Sequence, residues 1–237
     1  MSTPQDSTIQ GLRCFYAILA ELEVRLGGLR RLETCRRQDV PAARGVYFFF
    51  EDGEVRAGSG TGPRVVRVGT HGLGAGSVST LWSRLRQHRG AAGGGGNQRG
   101  SIFRCHVGAA LMDAGLVETV LGWWEGSNAP PTQRRAEEHV EVAVSRVIRR
   151  MPFVFLPVDD ASGPASERGY FERNAIALLS DPITGSLDPP SPTWLGRHPR
   201  AAEIRQSGLR NVRHVGETAD PGFVDRLWQR VREASRQ

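Results

Sequence analysis

Between residues 8 and 32, Leu12, Phe15, Ile18, Leu19, Leu22 and Leu26 recur every three or four positions. That period predicts one amphipathic helix, interrupted near its end by Gly27-Gly28. The runs Gly45-Val46-Tyr47-Phe48-Phe49-Phe50 and Val65-Val66-Arg67-Val68-Gly69 are β-branched and aromatic, so they predict the two strands of a hairpin. Its loop, about a dozen residues or more, begins near the Asp52-Gly53 step. Hydroxyls at Ser79 and Thr80 open a helix running to His88. Residues 101–107 predict a short strand with mixed faces, on which His106 points outward or is satisfied locally, and residues 109–123 a helix. A strong helix follows over 133–149, with Val140, Ala143, Val144, Val147 and Ile148 on one side. The near-continuous apolar run Phe153-Val154-Phe155-Leu156-Pro157-Val158 predicts a central strand ended by Pro157. Helices over 167–180 and 221–232 complete the chain, the last carrying Phe223, Leu227 and Val231. The pattern is that of an α/β (α+β) fold: a small central antiparallel or mixed sheet flanked by helices. Residues 1–40 read as an N-terminal helical extension, 41–185 as the main domain with a Gly-rich insertion at 90–100, and 186–237 as a Pro-rich segment and helix.

Composition narrows the partners. The net charge of +6 favours an anionic one, although all 31 cations are Arg, a bias that genome base composition also produces. Arg30, Arg31, Arg36 and Arg37 therefore lie along a DNA backbone or simply face water. Cys14, Cys35 and Cys105 are widely spaced without a Cys-x-x-Cys, which indicates neither a zinc site nor a disulfide framework and implies a reducing, cytoplasmic setting. The apolar piece at 14–20 is too short to span a bilayer, so no membrane partner is expected. Gly72-Leu73-Gly74-Ala75-Gly76 lacks the Gly-Lys-Ser/Thr ending of a phosphate loop, so no nucleotide cofactor is expected. The glycines at 93–96 make residues 90–100 the most flexible stretch by composition, either a linker or a loop that settles on nucleic acid. Glu137, Glu138, His139 and Glu141 resemble metal ligands only superficially; acids early and arginines late in a helix are the usual response to its dipole. Asp159 and Asp160 read as the entry to the next helix.

The chemistry concentrates on Arg84 and His88, one turn apart on the same helix face. With Gly45-Val46-Tyr47 upstream, Arg67-Val68-Gly69 next to them in sequence, and Glu172 in the first half of the helix over 167–180, the ordered set resembles the GIY-YIG nuclease family. The Arg-xxx-His spacing is closest to the type II restriction endonucleases built on that fold. The resemblance implies two tripeptides on adjacent strands and a Mg²⁺- or Mn²⁺-dependent endonuclease acting on DNA, in restriction, phage defence or mobile-element biology. It makes Glu172 the metal ligand, Arg84 the guanidinium on the phosphate, and Tyr47 the group that positions or deprotonates water, with His88 bonded to that water or to a phosphate. One carboxylate suffices for Mg²⁺, which keeps most of its waters. A duplex cut implies a homodimer on a palindrome.

Two departures stand out. Arg67 heads the second tripeptide where the family keeps a Tyr; His71 either takes over the missing phenol's proton handling or is an ordinary loop histidine. The family's Asn after the Glu helix has no counterpart near Ile183 to Ser186; Asn174 points elsewhere, and Asn211 serves only if the tail folds back. The alternative function is a nucleic-acid-binding or complex-assembly module that keeps the fold without the chemistry.

Overall fold

A computed structural model of the chain describes residues 3–124, 126, 128–198 and 201–234. Thr3 caps α1 (Pro4–Arg25) in a reciprocal arrangement with Asp6. The helix ends earlier than its apolar period suggests. Gly27 and Gly28 take φ of 78° and 106°, which turns the chain into β1 (Arg30–Arg31).

The sheet is antiparallel, in the order β1-β4-β2-β3, formed with β2 (Gly45–Val55), β3 (Pro63–Gly69) and β4 (Pro152–Pro157). The apolar run of β4 is thus internal, as fully buried strands require. β2 continues through Asp52-Gly53 and pairs Val55 with Pro63, so the hairpin loop is shorter than the sequence suggests; irregular register after Phe49 absorbs the extra residues.

Alternation along β2 sends side chains into two helical layers. Val46, Phe48 and Phe50 meet α1, α5 (Glu167–Ser180) and α8 (Phe223–Glu233). Tyr47 and Phe49 face α2 (Leu81–Arg89), α3 (Ile102–Asp113) and α4 (Pro131–Arg150). Leu12, Phe15 and Leu19 of α1 and Leu227 and Val231 of α8 share one cluster with the sheet. Short helices α6 (Pro182–Leu187) and α7 (Ala202–Ser207) lie in the segment between α5 and α8. Among the described residues no helix is long and apolar enough to cross a membrane.

The reading of residues 101–123 is overturned. Residues 102–107 form the first turns of α3, not a strand, and the helix stops at Asp113, ahead of the buried Trp123. The apolar-polar alternation misled because its polar members are buried too. Arg104, fully buried, donates through Nε to Glu141 Oε2 at 2.9 Å and through Nη1 to His88 O at 2.8 Å. The glycine-rich stretch is irregular backbone tied down at two points. Ala91 N–H donates to Gly95 O at 2.7 Å, and a Cβ at Gly96 would overlap the Arg104 guanidinium. Small residues there make room for a buried cation. Glu137 and Glu141 are structural, as inward-facing partners of Arg99 and Arg104.

Candidate active site

The outer edge of β3 opens into a cleft of about 780 Å³, walled by α2, α3, α5 and the segment that carries Asn211 to His214. Glu172 on α5, Arg84 on α2, Arg67 at the middle of β3, and His71 just beyond that strand all line it. Far-apart positions of the chain therefore meet around one space.

Glycines in the two tripeptides explain the local geometry. β2 and β3 pair Tyr47 with Gly69, and the phenol ring lies across that glycine. A Cβ on Gly69 would come within 2.6 Å of Tyr47 Cε2 and closer still to Cζ and Oη. The next residue, Thr70, donates its backbone N–H to Glu172 Oε1 at 3.1 Å. Consecutive residues, Gly69 and Thr70, thus meet the phenol and the carboxylate.

Tyr47 and His88 do not line the cleft. Both are completely buried beside it, with Tyr47 Oη 2.8 Å from His88 Nε2 and His88 Nδ1 2.8 Å from Ser101 Oγ. Burial, with Arg84, Arg67 and Arg104 close by, holds His88 well below the ordinary histidine range, so the ring is neutral. Arg84 is fixed by Nη1–H donation to Gln87 Oε1 at 2.9 Å and Gly100 O at 3.0 Å.

The carboxylate is tuned by opposing effects. Burial raises the Glu172 pKa, while Arg67, the Thr70 N–H, His214 and Arg84 work to lower it. No cation approaches it within ion-pair distance, and Oε2 accepts no hydrogen bond among the described residues. A carboxylate oxygen left free amid guanidinium groups suits a hydrated divalent ion shared with a phosphate, the donor set Mg²⁺ takes. No cluster of three or more His, Cys, Asp or Glu side chains suited to a metal occurs among the described residues.

His71 is buried in the cleft wall and pushed down to about 4 by burial and then by Arg168, opposed by the backbone of Ser79, so it is neutral near pH 7. His106, on α3, also lines the cleft, is likewise pushed down to about 4 by burial and by Arg67, and lies with its ring centroid 5.4 Å from that of Trp124 at a tilt of 57°. Sequence reasoning missed it, because a strand reading of 101–107 removed its link to α2. Arg67, in the place of the second phenol, donates through Nη1 to the Arg210 carbonyl and packs its guanidinium over Phe103.

The tail does fold back. Arg210 N–H donates to Val66 O at 2.7 Å, Asn211 Nδ2 donates to Val68 O at 2.9 Å, and Asn211 Oδ1 accepts from Val68 N–H at 3.1 Å. Asn211 thereby joins the cleft, whereas Asn174 is spent on Tyr170 O and the Asp220 N–H. Asp160 is paired with Arg168 and Ser166 at the start of α5, as a helix-entry residue.

No curated protein and no solved structure matches the chain. A family model described as the GIY-YIG domain does match it, over residues 6–237, a span that takes in α1, the sheet, the cleft and α8. On that match, and on adjacent strands that pair Tyr47 with Gly69 at the ends of the two tripeptides, the chain belongs to the GIY-YIG family of nucleases.

Proposed function

We propose that this protein is a DNA endonuclease that hydrolyses phosphodiester bonds with Mg²⁺ or Mn²⁺ in the cleft along β3. The observation that carries the reading is the convergence of Glu172, Arg84 and Arg67 on one space, with the carboxylate free of direct ion pairs. Arg84 and Arg67 suit the non-bridging phosphate oxygens, since a guanidinium is permanently charged and donates from two nitrogens at once. Glu172 is the residue that would hold the metal; when bound, the ion supplies Lewis-acid polarisation of the phosphate and stabilises the departing oxygen. His71, neutral at pH 7, can accept a proton within the cleft. Tyr47 lies beneath the cleft wall with its ring across Gly69 and its hydroxyl bonded to His88.

The test is nicking of supercoiled plasmid in Mg²⁺ by the intact chain and by Glu172→Gln. Loss of nicking in the variant with DNA affinity retained supports the reading; inert intact protein, or equal nicking by both, refutes it. A non-catalytic DNA-binding module is the second reading, favoured by Arg67 in place of a phenol and by the complete burial of Tyr47. It expects salt-sensitive DNA binding with no cleavage by either protein. A role in restriction, phage defence or mobile-element biology extends the first reading, and paired cuts on a palindrome would add a homodimer to it.

A further inference from the structure

No tyrosine lines the cleft, so a proton leaving the attacking water needs another acceptor there. Three imidazoles line it, those of His71, His106 and His214. Both ring nitrogens of His71 and of His106 are buried. His214 differs: its side chain is 33% exposed, and its Nδ1 lies 2.9 Å from Glu217 Oε1. Its Nε2 is not buried and has no hydrogen-bond partner among the described residues.

The tail is anchored on both sides of that imidazole. Asn211 ties the chain to Val68 of β3. Three groups of α5 hold the residues that follow: Arg173 Nε donates to Glu217 Oε2, Ser180 Oγ accepts the Gly216 N–H at 3.0 Å, and Asn174 Oδ1 accepts the Asp220 N–H at 2.7 Å. Between these anchors His214 takes φ of 64°, a left-handed conformation that no other non-glycine enters among the described residues. Glycine would adopt it freely, so an imidazole is kept there despite the strain, as happens at functional positions.

The proton on this ring has a defined place. Donation from His214 and from Arg173 holds the Glu217 carboxyl below the usual carboxylate range, so it is ionised near neutral pH and only accepts. Nδ1 therefore carries the hydrogen, and Nε2 is left with the lone pair. His214 is also close enough to Glu172 for its charge to act on that carboxylate. No hydrogen bond or ion pair joins the two among the described residues, so a water between them would displace no existing contact.

We infer that His214 is the general base of the proposed hydrolysis and Glu217 its positioning residue, an inference that rests on the nuclease reading. His214 Nε2 takes a proton from water, whose oxygen forms the new bond to phosphorus as the bond from phosphorus to the leaving sugar oxygen breaks. That oxygen departs with the bonding pair and is protonated from solvent. The imidazolium, stabilised by the Glu217 carboxylate, then returns its proton to solvent.

The experiment is single-turnover nicking of supercoiled plasmid in Mg²⁺ by the intact chain and by His214→Gly, with and without added imidazole. Glycine suits the left-handed backbone, so the variant is expected to keep its Tm. Nicking should slow by about a hundredfold or more with DNA affinity within about twofold, and imidazole should restore it by about tenfold or more. Glu217→Ala should slow nicking by about tenfold and, in ¹⁵N-resolved NMR in alkaline buffer, convert His214 from the Nδ1–H form of the intact chain to a mixture. An Nε2–H ring in the intact chain overturns the inference. If the intact chain nicks DNA and His214→Gly nicks it equally fast, the inference fails and the nuclease reading survives. A loss that imidazole does not restore gives His214 a structural role and also overturns it. If the intact chain does not nick DNA, the nuclease reading fails and the inference falls with it.

Discussion

Replacing Gly69 by alanine tests the contact on which the site geometry depends. The added methyl would sit 2.6 Å from Tyr47 Cε2 and closer to Cζ and Oη, on a ring that is completely buried and bounded by Phe49 and His88 at centroid distances of 5.5 and 5.4 Å. The ring has no room to retreat. Overpacking of this kind costs about 1–3 kcal/mol. Pulling Tyr47 Oη off His88 Nε2 strands a buried donor or acceptor for about 1–2 kcal/mol more. The sum, about 2–5 kcal/mol, corresponds to a fall in Tm of about 5–15 °C for a chain of this size. Thermal unfolding of wild type, Gly69→Ala, Tyr47→Ala and the double variant measures it as a cycle. Once the ring is gone the methyl has space, so Gly69→Ala should cost at least about 1 kcal/mol less in the Tyr47→Ala background. Additive effects, or an unchanged Tm in Gly69→Ala, would falsify the claim that this glycine exists to admit the phenol.

Other outcomes follow from the packing. Gly96→Ala is expected to destabilise by more than about 1 kcal/mol because its Cβ meets the Arg104 guanidinium, whereas in a loose linker the same change stabilises by about 0.4–1 kcal/mol; the sign in urea unfolding discriminates. Arg104→Met leaves Glu141 as a buried, unpaired carboxylate and should cost about 3–5 kcal/mol, much of it recovered in the double variant Arg104→Met, Glu141→Leu by the same assay. His71 and His106, pushed down to about 4, lie below the ordinary histidine value of about 6.5, so the unfolded chain binds more protons between those limits and stability rises with pH across them. Each contributes up to about 1.4 kcal/mol per pH unit. Urea unfolding at pH 5, 5.75 and 6.5 should show a shallower slope for His106→Phe, and an unchanged slope counts against a neutral buried imidazole.

Much of the fold was readable because burial and periodicity agree. α1, α4, α5 and α8 each carry an apolar stripe that ends up in one of the two clusters, and the unbroken apolar character of β4 correctly marks an internal strand. The reading failed where polar groups are buried with partners distant in sequence. Arg104 and His106 alternate with Phe103, Cys105 and Val107 as a strand would, yet Glu141 from elsewhere in the chain pairs with the buried Arg104. Gly96 looked like slack because nothing local reveals that the Arg104 guanidinium needs the space. The candidate site divides the same way. Arg84 and Glu172 were singled out by the family resemblance, and the cleft brings them together; Tyr47 and His88 were singled out the same way, but their place beneath the cleft wall was not legible. Ser101 and the paired amide of Asn211 left no local signal, since each is defined by a partner on another element.

The tail's grip on Val66 and Val68 has a further consequence. β3 is an outermost strand, and such strands readily recruit foreign chains through their unpaired amides. Arg210 and Asn211 occupy those groups, so the segment that walls the cleft also shields an adhesive margin. A frameshift or proteolytic clip ahead of Leu209 would therefore yield a chain lost to aggregation instead of a soluble, weakened enzyme.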